Sequence, residues 1–358
     1  MKSFGNYFWY HFRSTLLRFS VIAILCAILT LTFAWDSYIA QDGYRYSYAE
    51  LTVLATVAIV ISTVIPILEL LPFKNRRNMD TLLFLPLDRT KLGTAHFLNG
   101  LLQVIGIELI SFVAAFCLLV AHSYPFSAWN FLLLFAFTVL GSLSIYAVTA
   151  FVFDRANTTA DGLIWLVLYS FIGCFIFAGV KGLYEYSVGQ LLYTQKTDLF
   201  TEGIFSPYFL LIDLWYKVSL VLIPDIEYYE ENGTVWMDER VYSGVIENND
   251  IAGMIIGAVF ALLFTVGFLW LFRKKRPERI GAVSDSPFGY KVLLPLLSVS
   301  LLCDYLLYTE RSLAIALTGL MIGYIIYRRS IRLKMQDYIS IAAALILPLI
   351  LTVIAKCF

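Results

Sequence analysis

The sequence has 358 residues, 60% hydrophobic, 16% aromatic and 15% charged, with 26 Lys+Arg against 26 Asp+Glu. Soluble domains carry roughly 45–50% apolar and about 25% charged residues, so a mean hydropathy of +0.77 excludes an ordinary soluble chain and predicts an all-α polytopic membrane protein. Zero net charge removes the global positive field that nucleic-acid binding draws on; a lipid bilayer is the expected partner and nucleic acid is not.

The N-terminal stretch is rich in aromatics, Phe4, Tyr7, Phe8, Trp9, Tyr10 and Phe12, and lacks a clean small-residue cleavage site, so a removable signal peptide is not expected. Phe8, Trp9 and Phe12 with Arg13 and Arg18 predict an interfacial anchoring helix, rings at headgroup level and cations toward water. A span needs about 20 mostly apolar residues. Nine segments qualify, at 17–35, 51–71, 97–121, 129–152, 162–180, 251–272, 290–308, 312–327 and 338–356, the eighth being short. With the N-terminus inside, inner segments hold 19 basic residues and outer ones 7. That bias predicts a cytoplasmic N-terminus, an extracellular segment at 181–250 and, with an odd count, an extracellular C-terminus. The five cysteines, Cys26, Cys117, Cys174, Cys303 and Cys357, all lie in or beside apolar runs and read as small buried hydrophobes.

Between the second and third spans runs PFKNRRNMDTLLFLPLDRTKLGTAH, residues 72–96. Lys74, Arg76 and Arg77 open it, and Met79, Leu82 and Leu83 follow at helical spacing. Leu85-Pro86 stops that helix, and Asp88 is placed to cap the next one, ahead of Arg89 and Lys91. Basic residues in an inner loop are expected from the positive-inside rule alone. The run Asp80-x-x-x-x-Leu85-Pro86-x-x-Arg89-x-x-Leu92 also resembles the loop after the second membrane helix of ABC-2 type transporter permeases. There the loop is a coupling helix seated in a groove of the ATPase subunit. The chain departs from the family pattern at Phe84 and Asp88, where Ser and Ser or Thr are common.

The segment 181–250 holds twelve acidic residues against four basic ones. Within it, SPYFLLIDLWYKVSLVLIP (206–224) is long enough for a tenth span. Asp213 and Lys217 stand at i and i+4, and a charge at mid-bilayer costs about 2.5–3.5 kcal/mol. A re-entrant or interfacial helix is therefore expected, matching the short outer helices of the same family. Asn232-Gly233-Thr234 fits a glycosylation acceptor. The sixth span ends in Arg273-Lys274-Lys275-Arg276-Pro277-Glu278-Arg279-Ile280-Gly281, a stop-transfer cluster. The order of that cluster, Glu278 and Gly281 resembles a subgroup of ABC-2 permeases encoded beside GntR-type regulators, which includes exporters of phenol-soluble modulins and other amphipathic peptides.

The resemblance covers residues 1–281. It implies a six-helix ABC-2 core (type V exporter-like) with a cytoplasmic coupling helix and short extracellular helices, followed by about three further helices over 282–358. By that resemblance Met79, Leu82, Leu83 and Leu85 supply the greasy contact, Pro86 the stop, and Arg76, Arg77, Asp80 and Arg89 the polar contacts to an ATPase. It implies two copies of the ATPase, a second permease subunit, identical or homologous, and a hydrophobic, amphipathic or antimicrobial peptide as cargo. ATP and Mg belong to the partner: the chain has no Gly-x-x-x-x-Gly-Lys-Ser/Thr loop, no Gly-x-Ser-x-Gly elbow and no metal-ligand spacing among His11, His96 and His122. No catalytic residue, cofactor or metal site is expected on it.

Glu108 interrupts the apolar run LLQVIGIELISFVAAF. Such acids face a cavity or a partner helix, so Glu108 either lines a transport path or is a hydrogen-bonded structural group. Glu69, Asp304 and Glu310 fall near span ends and read as interfacial. Gly253 and Gly257, four apart, predict a close helix contact. Two other function classes compete. An ion-coupled secondary transporter calls for paired intramembrane acids or broken helices in matching halves; a membrane sensor or enzyme calls for converging His, Asp, Glu or Ser in the outer loops.

Overall fold

The structure is a computed structural model. It describes residues 2–83, 87–170, 172–173, 206–223, 225–242, 246, 248–274, 280–282, 286, 288–306, 312–328, 330, 332, 334–335, 337–343, 346, 350 and 353. Helices α1 (Lys2–Phe33), α2 (Thr52–Leu70), α3 (Arg76–Leu83), α4 (Arg89–Ala121) and α5 (Ala128–Arg155) are followed by α6, helical from residue 159. Then come α7 (Pro207–Leu222), α8 (Asn248–Phe272), α9 (Tyr290–Leu306) and α10 (Ser312–Arg328). Among the described residues four strands, β1 (Trp35–Ile39), β2 (Arg45–Ala49), β3 (Asp225–Glu231) and β4 (Thr234–Tyr242), form one antiparallel sheet in that order.

Among the described residues, five helical stretches are long and apolar enough to cross a membrane: Phe4–Phe33, Thr52–Lys74, Arg89–Ala121, Ala128–Arg155 and Asp250–Phe272. The predicted spans at 162–180 and 338–356 fall partly outside the described residues. The predicted seventh and eighth spans form helices of 17 residues each. The chain divides into two compact units, one from Met1–Leu70, Leu83–Ala150 and Pro207–Lys275, the other from Leu71–Leu82, Phe151–Ser206 and Arg276–Phe358.

In the first unit, the expected interfacial helix and first span are a single uninterrupted helix. Nothing between Lys2 and Phe33 breaks the hydrogen-bond ladder, and Phe4, Phe8 and Phe12 stack along one side at centroid separations of 6.4 and 6.5 Å. α7, expected as a re-entrant or interfacial helix, is a 16-residue helix that runs antiparallel to α5 and is bonded to it at three levels. Asn130 donates to the Leu222 carbonyl (2.9 Å), Trp215 Nε1 to Thr138 (2.9 Å), and the hydroxyls of Thr149 and Tyr208 meet at 3.0 Å. Its charges are neutralised locally: Lys217 lies 3.6 Å from Asp213 and 2.7 Å from Asp250 of α8. The Gly253/Gly257 contact holds as predicted. A Cβ there would stand 2.9 and 3.3 Å from the Leu210 methyl groups of α7, so α8 lies against that helix.

The sheet is the feature the hydropathy reading missed, since short outer helices were expected. Its second hairpin turns at Asn232 (φ 52°) and Gly233 (φ 79°), the left-handed pair a tight two-residue hairpin demands. The motif read as a glycosylation acceptor is thus a turn. Trp35 packs flat on His122 (4.1 Å), and the amide of Ile226 donates to the Tyr124 hydroxyl (3.0 Å), seating the sheet on the loop joining α4 to α5.

In the second unit, Tyr290 of α9 donates to Asp161 of α6 (3.1 Å), and Trp165 meets the Tyr290 ring edge-on at 5.7 Å. α9 packs along α10. Beyond α10, Arg328 grips Asp337 through two bonds of 2.8 and 2.7 Å.

Candidate functional site

Of the residues expected to meet an ATPase, Arg76, Arg77 and Asp80 are exposed on α3, and Arg89 is exposed at the start of α4. Leu82 is half-buried; the Leu83 side chain, Leu85 and Pro86 lie outside the described residues. Met79 is only 1% exposed and anchors α3 from inside. Asn75 caps α3, its Oδ1 accepting from the Arg77 amide at 3.1 Å. Asp88 occupies the N-cap position of α4, but its carboxylate pairs with Lys91 at 3.0 Å and makes no cap hydrogen bond.

Lys74, read from sequence as part of a basic loop, is buried. Its ammonium donates to the carbonyls of Phe153, Asp154 (3.3 Å) and Ala156 (2.5 Å) and lies 4.8 Å from the centre of the Phe153 ring. These are the carbonyls that a helix leaves unpaired where it ends. A cation there offsets the negative end of the helix dipole, so Lys74 ties the segment leading into α3 to the end of α5.

The densest polar constellation was not foreseen. Tyr7, His11, Thr15 and Arg18 recur on one face of α1; His96, Asn99 and Gln103 recur on one face of α4. Between them stands Glu69, in the last turn of α2 and 2% exposed. One carboxylate oxygen, Oε1, accepts from Asn99 and Gln103 at 3.0 Å each and from the Arg18 guanidinium. The other, Oε2, faces His11 Nε2 at 2.7 Å and His96 Nδ1 at 3.3 Å. Behind these, the Tyr7 hydroxyl lies 2.9 Å from His96 Nε2, and Arg18 also donates to Gln103 Oε1 at 3.0 Å.

Glu69, expected near a span end, is buried among three helices; Arg18 turns its guanidinium into the cluster while its side chain stays 28% exposed; and the His11 and His96 ring centres stand 4.1 Å apart. A lone carboxylate in an apolar layer is expensive; Arg18 cancels its charge, and breaking such a buried pair costs about 3–5 kcal/mol. The signal was present in the sequence: polar residues three or four apart on an otherwise apolar helix share a face, and that face turns away from lipid.

Glu108, twelve residues beyond His96 on α4, is 1% exposed and turned into the helix packing. Among the described residues neither of its oxygens meets ordinary hydrogen-bond geometry, and Ser142 of α5 is the polar side chain beside it. It takes no part in the Glu69 cluster.

Comparison with protein-family models, with curated proteins and with solved structures finds no match to this chain. The fold itself defines a class: a helical, multi-pass membrane protein, with a small sheet at one end of its first unit and a buried ionic cluster on α1, α2 and α4.

Proposed function

We propose that the chain is the membrane-spanning subunit of an ATP-driven exporter of the ABC-2 kind. It moves hydrophobic or amphipathic peptide cargo across the cell membrane, with a second permease subunit and two ATPase subunits as partners. The observation that carries this reading is α3, a short helix between two membrane-crossing stretches. It shows Arg76, Arg77 and Asp80 to the surface and is held from below by Met79 and by Lys74 on the end of α5. A lever must be rigid at its root and chemically addressable at its tip, and α3 has both properties. Nucleotide-driven closure of the partner would shift α3 as a unit and reorient the spans between two packed states. The test is Leu83→Arg, with and without Arg77→Glu. The variant inserts in the membrane at the normal level but no longer co-purifies with an ATPase that the wild type retains. Unchanged association would remove α3 from this role.

A second reading, an ion-coupled secondary transporter, is favoured by one observation: Glu69 and Glu108 are both buried in the helix packing, and such transporters use intramembrane acids. Transport by the purified chain in vesicles, driven by a proton gradient with no nucleotide or ATPase, would select it.

A further inference from the structure

We propose that His11, Glu69 and His96 form a binding site for a divalent transition ion of the Zn2+ kind, independent of whether the chain is an exporter. Three donor atoms on three different helices converge: His11 Nε2, His96 Nδ1 and Glu69 Oε2 all lie within 4.8 Å of one another. A tetrahedral ion with bonds of about 2.0–2.1 Å holds its ligand atoms roughly 3.3 Å apart. The His96–Glu69 separation is 3.3 Å and the His11–Glu69 separation is 2.7 Å, so side-chain adjustments on the order of 1 Å complete the site. Water supplies the fourth ligand. It reaches the cluster at its accessible edge, where the His11 and Arg18 side chains are 17% and 28% exposed.

The surroundings are those a metal site needs. A ligating imidazole is normally held by a hydrogen bond on its other nitrogen, and the Tyr7 hydroxyl stands 2.9 Å from His96 Nε2. Glu69 Oε1 is fully occupied by Arg18, Asn99 and Gln103, which orients the carboxylate and leaves Oε2 for the ion. Two imidazoles with one carboxylate select a borderline transition ion; Mg2+ and Ca2+ prefer all-oxygen shells. Arg18 works against the ion. Its positive charge already neutralises Glu69, and a divalent cation must share that carboxylate with it. A merely structural network predicts no metal binding at all, whereas this arrangement predicts that removing Arg18 tightens it.

The experiment uses the full chain in detergent, purified on a tag free of histidine, stripped with chelator and titrated with Zn2+ against a chromophoric competitor. Co2+ serves as the spectroscopic probe. The wild type should take up about one Zn2+ per chain and give the visible bands of four-coordinate Co2+. His11→Ala and His96→Ala should weaken binding about 10–100-fold or more, Arg18→Gln should strengthen it, and His122→Ala, distant from the cluster, should match wild type. Because Glu69→Gln risks the fold, His11→Ala at the accessible edge is the decisive variant. Zn2+ affinity equal in His11→Ala and wild type, or no Zn2+ uptake by the wild type, would overturn the proposal.

Discussion

Arg13 and Arg18 are one turn and a half apart on α1, yet they live in different worlds. Arg13 is exposed; Arg18 reaches across to α2 and α4, where Glu69 and Gln103 receive it. Arg18→Ala leaves a carboxylate buried without its charge partner and should destabilise the protein by about 3 kcal/mol or more, read as a lowered unfolding midpoint in detergent. Arg13→Ala should stay within about 0.5 kcal/mol of wild type. Equal effects would mean that the cluster is not a unit. The charge count that oriented the chain treated both arginines as one kind of signal, because counting cannot say which way a side chain turns.

At the scale of elements, α3 depends on its tether. Replacing Lys74 by Met keeps the apolar stem but removes the ammonium that three carbonyls share. Hydrogen bonds to a charged group are worth about 1.5–3 kcal/mol, so Lys74→Met should raise amide exchange across residues 71–82 well above wild type; unchanged exchange would show that Met79 alone holds the helix. The link between α10 and the residues beyond it is also ionic. Arg328 and the Lys334 amide hold the Asp337 carboxyl below the usual carboxylate range. A depressed folded value makes this contribution fully present above the unfolded value of about 3.9, and it is lost only as pH falls further, through the lower folded value. The unfolding midpoints of wild type and Arg328→Gln should therefore differ at pH 7 and draw together as the pH is taken well below about 3.9. α7 adds a distant partner to a local pair: besides Asp213, which stands four residues away, Asp250, 33 residues further along, neutralises Lys217.

For the whole molecule, the unequal spread of basic residues along the sequence leads us to expect residues 35–49 and 76–83 on opposite faces of the membrane. Single cysteines placed at Ser47 and at Arg77, on a background lacking the native cysteines, should react with an impermeant thiol reagent from opposite sides of intact cells. Labelling of both from one side would undo the orientation, and with it any lever reached from the cytoplasm.

The multi-pass class, most of the helical segments, the α3 helix and the Gly253/Gly257 contact were all legible in the chain, because hydropathy, basic-residue bias and helical period are local quantities. Glycine-asparagine chemistry at 232–233 was legible too, but went unread among the charges around it. What the tertiary structure alone decided is the company each polar group keeps. Glu69 became the hub of an ionic cluster, Lys74 a helix cap and Lys217 a neutralised charge because partners 27 to 82 residues away in the chain were brought within bonding distance. The cost of a buried charge is set by those partners, and no window of sequence contains them.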